Sequence, residues 1–286
     1  MSWFYLAFLC AIITTIGNLA LKKAVLQVHS LQISAAAAIV AALISLVLIP
    51  FVDFKIDLKT ILLLLLSSTV ATASYLFIVK AYRHMEVSVV SPLFNVGTLL
   101  SIFFAMLFFH EKLTIIQLIG VLLLIFGAYF VNFKEKDILF PFKQLFKSED
   151  YHHLIFSIVG YSLLSVLIKY ILNFTDPYTY IFFETFFIAM FLTVYTIFFH
   201  HGFNDIKAGF SCSKWLIFLI ASANFLSMVT WYLATSIGEV SLVVPVMRIW
   251  TLLAVIFGGL IYREKGLTKK VISCVIMLTG VFIITM

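Results

Sequence analysis

The sequence predicts an all-α polytopic membrane protein with ten transmembrane helices arranged as two inverted five-helix repeats. Three observations carry this expectation. The chain of 286 residues is 63% hydrophobic and only 11% charged, with a mean hydropathy of +1.15. Apolar runs of about 20 residues, each long enough to cross a hydrocarbon layer roughly 30 Å thick, recur along its length. A short phrase, EVSVVSP at 86–92, returns as EVSLVVP at 239–245.

A water-soluble domain carries about a quarter of its residues as charges. This chain falls far short, so its solvent is largely lipid. The net charge of +6 needs no nucleic acid to explain it, because Lys and Arg of membrane proteins collect in cytoplasmic loops. Cys10, Cys212 and Cys274 lack any ligand spacing and predict neither a disulfide framework nor a metal site. The first apolar run has Lys22-Lys23 after it and no basic residue before it. That order is the reverse of a cleavable signal, so the run reads as the first span.

The spans fall at roughly 3–22, 31–52, 60–82, 87–109, 114–133, 154–173, 178–200, 214–236, 240–262 and 268–286. Helices are expected throughout, since a span in lipid must satisfy its own backbone hydrogen bonds. The long polar stretch at 134–153 reads as an interfacial linker between a first repeat, 1–133, and a second, 154–286.

A shift of 153 positions aligns Ala81 with Ala234, Glu86 with Glu239, Ser88 with Ser241 and Pro92 with Pro245. The match runs on without a gap through Thr98-Leu99-Leu100 and Thr251-Leu252-Leu253, then Glu111-Lys112 and Glu264-Lys265, to Gly127 and Gly280. This ordered series marks a duplication. The copies lie five spans apart, an odd number, so the second enters the membrane inverted. Inverted repeats build secondary transporters, with the substrate site near the midplane between halves.

In each copy the glutamate opens a helix, where the amide dipoles favour a carboxylate. Pro92 and Pro245 lie inside spans four and nine, where a missing N–H lets the helix kink. Three residues further on stand Asn95 and Arg248, near the midplane. An Arg there costs about 2.5–3.5 kcal/mol on insertion scales, so it faces the bundle and marks function. Arg248 is therefore the first substrate-contact candidate, with a structural pair to Glu184 as the alternative. Glu184, in IFFETFF of span seven, fits either a proton-coupling acid or the fixed partner of Arg248 or Lys169. Lys169 ends span six as Lys22 ends span one, and both have the stem length to snorkel. Asn224, Tyr75, Trp231 and Trp250 complete the expected cavity lining.

Other apparent motifs fail. HEKLT at 110–114 begins like a zinc-protease helix, but its fifth residue is Thr114. The pairs His152-His153 and His200-His201 sit at span edges. There is no Walker loop, no G-x-S-x-G and no cofactor motif, so neither an ATP-driven engine nor an enzyme is expected. A membrane-embedded enzyme needs a constellation at one depth that a lone Glu184 does not supply.

The segment 81–127 resembles the drug/metabolite transporter superfamily, EamA type. The resemblance rests on Ala81, Pro92, Glu111 and Gly120 in the first copy, and Ala234, Pro245, Glu264 and Gly280 in the second. Ser273 stands where Gly120 would repeat. The resemblance implies a gradient-driven carrier, often an exporter, of amino acids, nucleotide sugars, organic phosphates or drugs. Arg248 and Lys169 against Glu184 leave the interior near +1, which favours an anionic or zwitterionic small-molecule solute, with protons or another ion as coupling partner. A flippase for a lipid-linked headgroup is the second reading. A complete pair of halves removes the need to dimerise, so a monomer suffices.

Loops 1/2, 3/4, 5/6, 7/8 and 9/10 carry fourteen Lys or Arg, and the other set carries three. By this bias the rich set is cytoplasmic and both termini lie outside a plasma or inner membrane. Members of the resembled family are usually drawn with both termini inside.

Overall fold

Charged residues cluster at the ends of the apolar runs, and the helices start and stop there. The structure, a computed structural model, describes all residues except 1, 86, 88–89, 92–93, 95, 111–112, 133–148, 200–201, 212–213, 262–266 and 285–286. Its helices are α1 (Trp3–Val25), α2 (Ser30–Ser45, continued by a 3-10 turn at Leu46–Phe51), α3 (Leu58–His84), α4 (Val96–Phe109) and α5 (Ile115–Asn132). They continue with α6 (Glu149–Ile171), α7 (Pro177–Phe199), α8 (Phe203–Ser211), α9 (Lys214–Ile237), α10 (Val240–Met247), α11 (Ile249–Ile261) and α12 (Leu267–Ile284). Among the described residues, seven helical segments are long and apolar enough to cross a membrane. The shorter apolar helices Leu100–Phe109, Ile115–Gly127 and Val271–Gly280 occupy spans four, five and ten. The chain is thus an all-helical, multi-pass membrane protein.

Two departures from the expected layout have local causes. The stretch drawn as the end of the linker is helical from Glu149 onward. Between spans seven and eight lies α8, nine residues too short and too polar for a span. It docks on the start of α2, where Gln32 donates to Asp205 at 2.6 Å, and a Cβ on Gly209 would collide with the Gln32 carbonyl.

The duplication is visible in capping as well as in packing. His29 and Asp176, 147 positions apart, cap α2 and α7. His29 Nδ1 accepts from the Leu31 amide, and Asp176 accepts from the Tyr178 and Thr179 amides, satisfying helix-start donors. At the same 147-residue spacing, Lys22 and Lys169 cap other helices at their C-termini. Lys22 Nζ donates to the carbonyls of Tyr82 (2.7 Å) and Met85 (2.9 Å). Lys169 Nζ donates to those of Thr235 and Gly238, both at 2.9 Å. The acceptors are themselves repeat equivalents, 153 positions apart. A cation beside the last carbonyls of a helix is favoured by their partial negative charge.

Helix contacts come in equivalent pairs. α1 packs on α9 as α6 packs on α3, α2 on α9 as α7 on α3, and α4 on α6 as α11 on α1. α5 and α12 pack on each other, as do α2 and α7. Small residues permit a close crossing of α5 and α12: a Cβ on Gly280 would lie 2.6 Å from the Gly120 carbonyl and 2.9 Å from the Leu124 amide. Phe, Ile and Leu on the outer faces, such as Ile115, Phe198 and Phe282, stay exposed for lipid.

Candidate functional site

Span nine breaks where the sequence places proline. α10 stops at Met247 and α11 restarts at Ile249, so Arg248 is the joint, three residues past Pro245. Its carbonyl accepts from the Thr251 amide (2.9 Å) and hydroxyl (2.8 Å), which stitches the break. Arg248 lies eight residues into the span from Val240, about 12 Å at 1.5 Å rise per residue, and is only 6% exposed.

The joint opens on a cavity of about 250 Å³ between the halves. Arg248, Asn224, Tyr75, Trp231, Trp250 and Glu184 all line it. Five expected contacts and the candidate coupling acid therefore meet in one space. The guanidinium sits 5.4 Å from the centre of the Phe94 ring, a cation–π distance. Phe94 in turn meets Trp250 edge-on at 5.6 Å and Tyr161 at 6.0 Å. Among the described residues Arg248 Nε has no hydrogen-bond partner, nor does Nε1 of Trp231.

Glu184 is fully buried and is not ion-paired with Arg248. Its Oε1 accepts from the Tyr180 hydroxyl at 3.0 Å, and its Oε2 accepts from the Tyr232 hydroxyl. The two rings brace each other edge-to-face at 4.7 Å. Tyr161 lines the same cavity as Glu184 and Arg248. On the far wall Asn224 Nδ2 donates to Tyr75 Oη at 3.4 Å.

Lys169 is placed elsewhere. Its ammonium is committed to the end of α9 and does not line the cavity, because capping two carbonyls satisfies it within reach of the helix end. Asn95 and Pro92 lie outside the described residues. So do Glu111, Lys112 and Glu264, His200-His201 and Cys212, whereas His153 stacks on Phe77 at 5.5 Å. No group of His, Cys, Asp and Glu among the described residues is arranged to hold a metal.

Several lining residues escaped sequence reasoning. Asn18 and Thr14 on α1, Ser227 on α9 and Tyr161 on α6 all face the cavity. Thr14 donates to Ser227 at 3.1 Å. Asn18 carried a usable signal, a strongly polar amide inside an apolar run. Tyr180 was legible as the residue one helical turn before Glu184. Tyr232 had no local mark, since its role depends on α9 crossing α7.

Chemically, the cavity joins a guanidinium, an indole and further aromatic rings to a carboxyl group held by two hydroxyls. Comparison with curated proteins found no match. A solved crystal structure superposes with a TM-score of 0.71 over 98% of this chain and 97% of that one, at 15% identity, a likeness of fold. The EamA-like transporter family profile matches residues 1–133 and again 153–286. A ten-span helical bundle, a lined cavity at the seam and a family match in both halves agree: the chain belongs to the EamA-like transporter family of the drug/metabolite transporter superfamily.

Proposed function

We propose that the protein is a secondary carrier for a small anionic or zwitterionic solute, moved by alternating access of the two halves around the central cavity. One observation carries this reading: two donor-only groups, Arg248 Nε–H and Trp231 Nε1–H, are buried without an acceptor among the described residues, on two side chains that line one cavity. Neither side chain can accept a hydrogen bond, and a desolvated cation without a partner is costly. A carboxylate or phosphate supplies several acceptor sites in the planar geometry the guanidinium prefers.

Glu184 is the coupling group in this reading. Ionised, it accepts from Tyr180 and Tyr232 together. Protonated, its O–H donates to one tyrosine oxygen, and that hydroxyl hydrogen must point to another acceptor. Tyr232 lines the cavity, which links proton occupancy to the shape of the solute site. The basic loops face the cytoplasm and both termini face outward, the orientation favoured by charge bias.

The test is ligand-induced thermal stabilisation of the purified protein. Amino acids, organic phosphates, nucleotide sugars and organic cations would be run beside Arg248→Ala, since binding to the folded state raises apparent stability. Stabilisation by one anionic or zwitterionic class, abolished in Arg248→Ala, supports the reading. A response to cations alone sinks it. A response only to a lipid-linked headgroup moves the flippase to first place.

A further inference from the structure

The two-fold relation fixes which cavity positions correspond, and the two repeats fill them differently. At the 147-residue spacing shared by the helix caps, Glu184 of α7 corresponds to Ala37 of α2. At the 153-residue spacing, Asn224 of α9 corresponds to Ala71 of α3. Ala38 and Ala41 continue the small wall along α2, and all four alanines line the cavity while being at most 9% exposed. The second repeat thus brings polar contacts where the first brings only methyl groups. Small residues commonly serve close helix packing. Here they also border the cavity that Arg248 lines, a side chain that is 94% buried and whose Nε has no partner among the described residues.

We infer that the solute binds asymmetrically: its oxyanion head lies on the second repeat at Arg248, and an apolar body lies against Ala37, Ala38, Ala41 and Ala71, whose small side chains set the size limit. This rests on the carrier reading above for the identity of the head. The rest follows from volume. The wall offers neither donor nor acceptor side chains, so it rewards hydrocarbon and rejects polar substituents. Larger side chains would remove the space, because packed interiors tolerate added methylenes poorly. Affinity therefore climbs roughly fourfold per methylene of the solute until the wall is full, and falls beyond that length.

The experiment titrates purified full-length protein by thermal shift with three homologous series. These are straight-chain 2-amino acids from alanine to 2-aminooctanoate, n-alkylphosphonates of the same lengths, and n-alkylammonium ions as the opposite-charge control. The variants are Ala41→Leu on α2 and Ala71→Leu on α3, so that a folding failure of one leaves the other. The expected result is an optimum chain length in one oxyanion series. Each variant shortens it by about two carbons, while the shortest member binds within about twofold of the parent. A uniform loss across the series, or an unmoved optimum in both variants, overturns the size limit. If only the ammonium series binds and its optimum still shortens, the size limit stands and the oxyanion reading at Arg248 falls. If no series binds, both fall.

Discussion

Arg248 and Glu184 lie in one cavity without neutralising each other, and that separation shapes what each substitution should do. Arg248→Lys keeps the charge but loses the planar fork, so solute binding should fall at least about tenfold while the fold persists; a binding titration beside a melting curve checks both. Unchanged binding would show that Arg248 acts as a bare charge. Glu184→Gln keeps the shape and one acceptor oxygen. Solute exchange between equal pools should survive and uptake driven by a pH gradient should be lost, as read with labelled solute in proteoliposomes. Loss of both activities would make Glu184 part of the solute site. Lys22→Met and Lys169→Met should each cost roughly 1–3 kcal/mol, the scale of leaving buried carbonyls without their charged donor. The two losses should be of the same order, because each ammonium donates to two carbonyls at equivalent helix ends.

At the scale of the element, the helices reveal what an apolar-window reading captures. Span positions were legible because lipid admits only long apolar segments with satisfied backbones. The joint in span nine was legible because Pro245 has no N–H to donate. The helix α8 was not, since nine residues of mixed polarity carry no span signal, and its docking depends on a distant partner, Gln32. Lys169 shows the same limit: its spacing to Lys22 identified an equivalence, but its acceptors lie on α9, 66 and 69 positions away. The α5–α12 crossing supplies a direct prediction. Gly280→Val places a branched side chain where even a Cβ would meet backbone at 2.6 Å. Overpacking of this kind costs about 1–3 kcal/mol. The melting temperature in detergent should drop, while Gly258→Val, whose nearest neighbour would be 3.8 Å away, should leave it nearly unchanged.

Across the whole molecule, the contacts sort the helices into two equivalent groups, α3, α4 and α6 against α9, α10–α11 and α1. Lys22 ties one group to the other through the end of α3, and Lys169 does so through the end of α9, at the opposite end of the bundle. Asp53 donating to Thr179, Lys59 over Phe174 and Gly238 against Trp3 belong to the same end as Lys169, whereas Gln32 with Asp205 belongs to the end of Lys22. The proposed orientation in the membrane rests on the charge bias of the loops. In a cysteine-free background, a single cysteine at Ser2 should react with an impermeant maleimide added outside intact cells, and one at Lys207 should react only after permeabilisation. The reverse pattern would place the basic loops outside.

The sequence by itself determined the lipid solvent, the spans, the duplication and its inversion, and the presence of Arg248 and Glu184 at membrane depth. Each of these follows from local chemistry or from a fixed spacing along the chain. Only the tertiary structure decided the partners. It gave Glu184 to Tyr180 and Tyr232, Lys169 to the end of α9, and Arg248 to the face of Phe94 rather than to Glu184. Such pairings depend on which helix faces cross, and crossings are set by the summed packing of both repeats. No single stretch of sequence contains that sum.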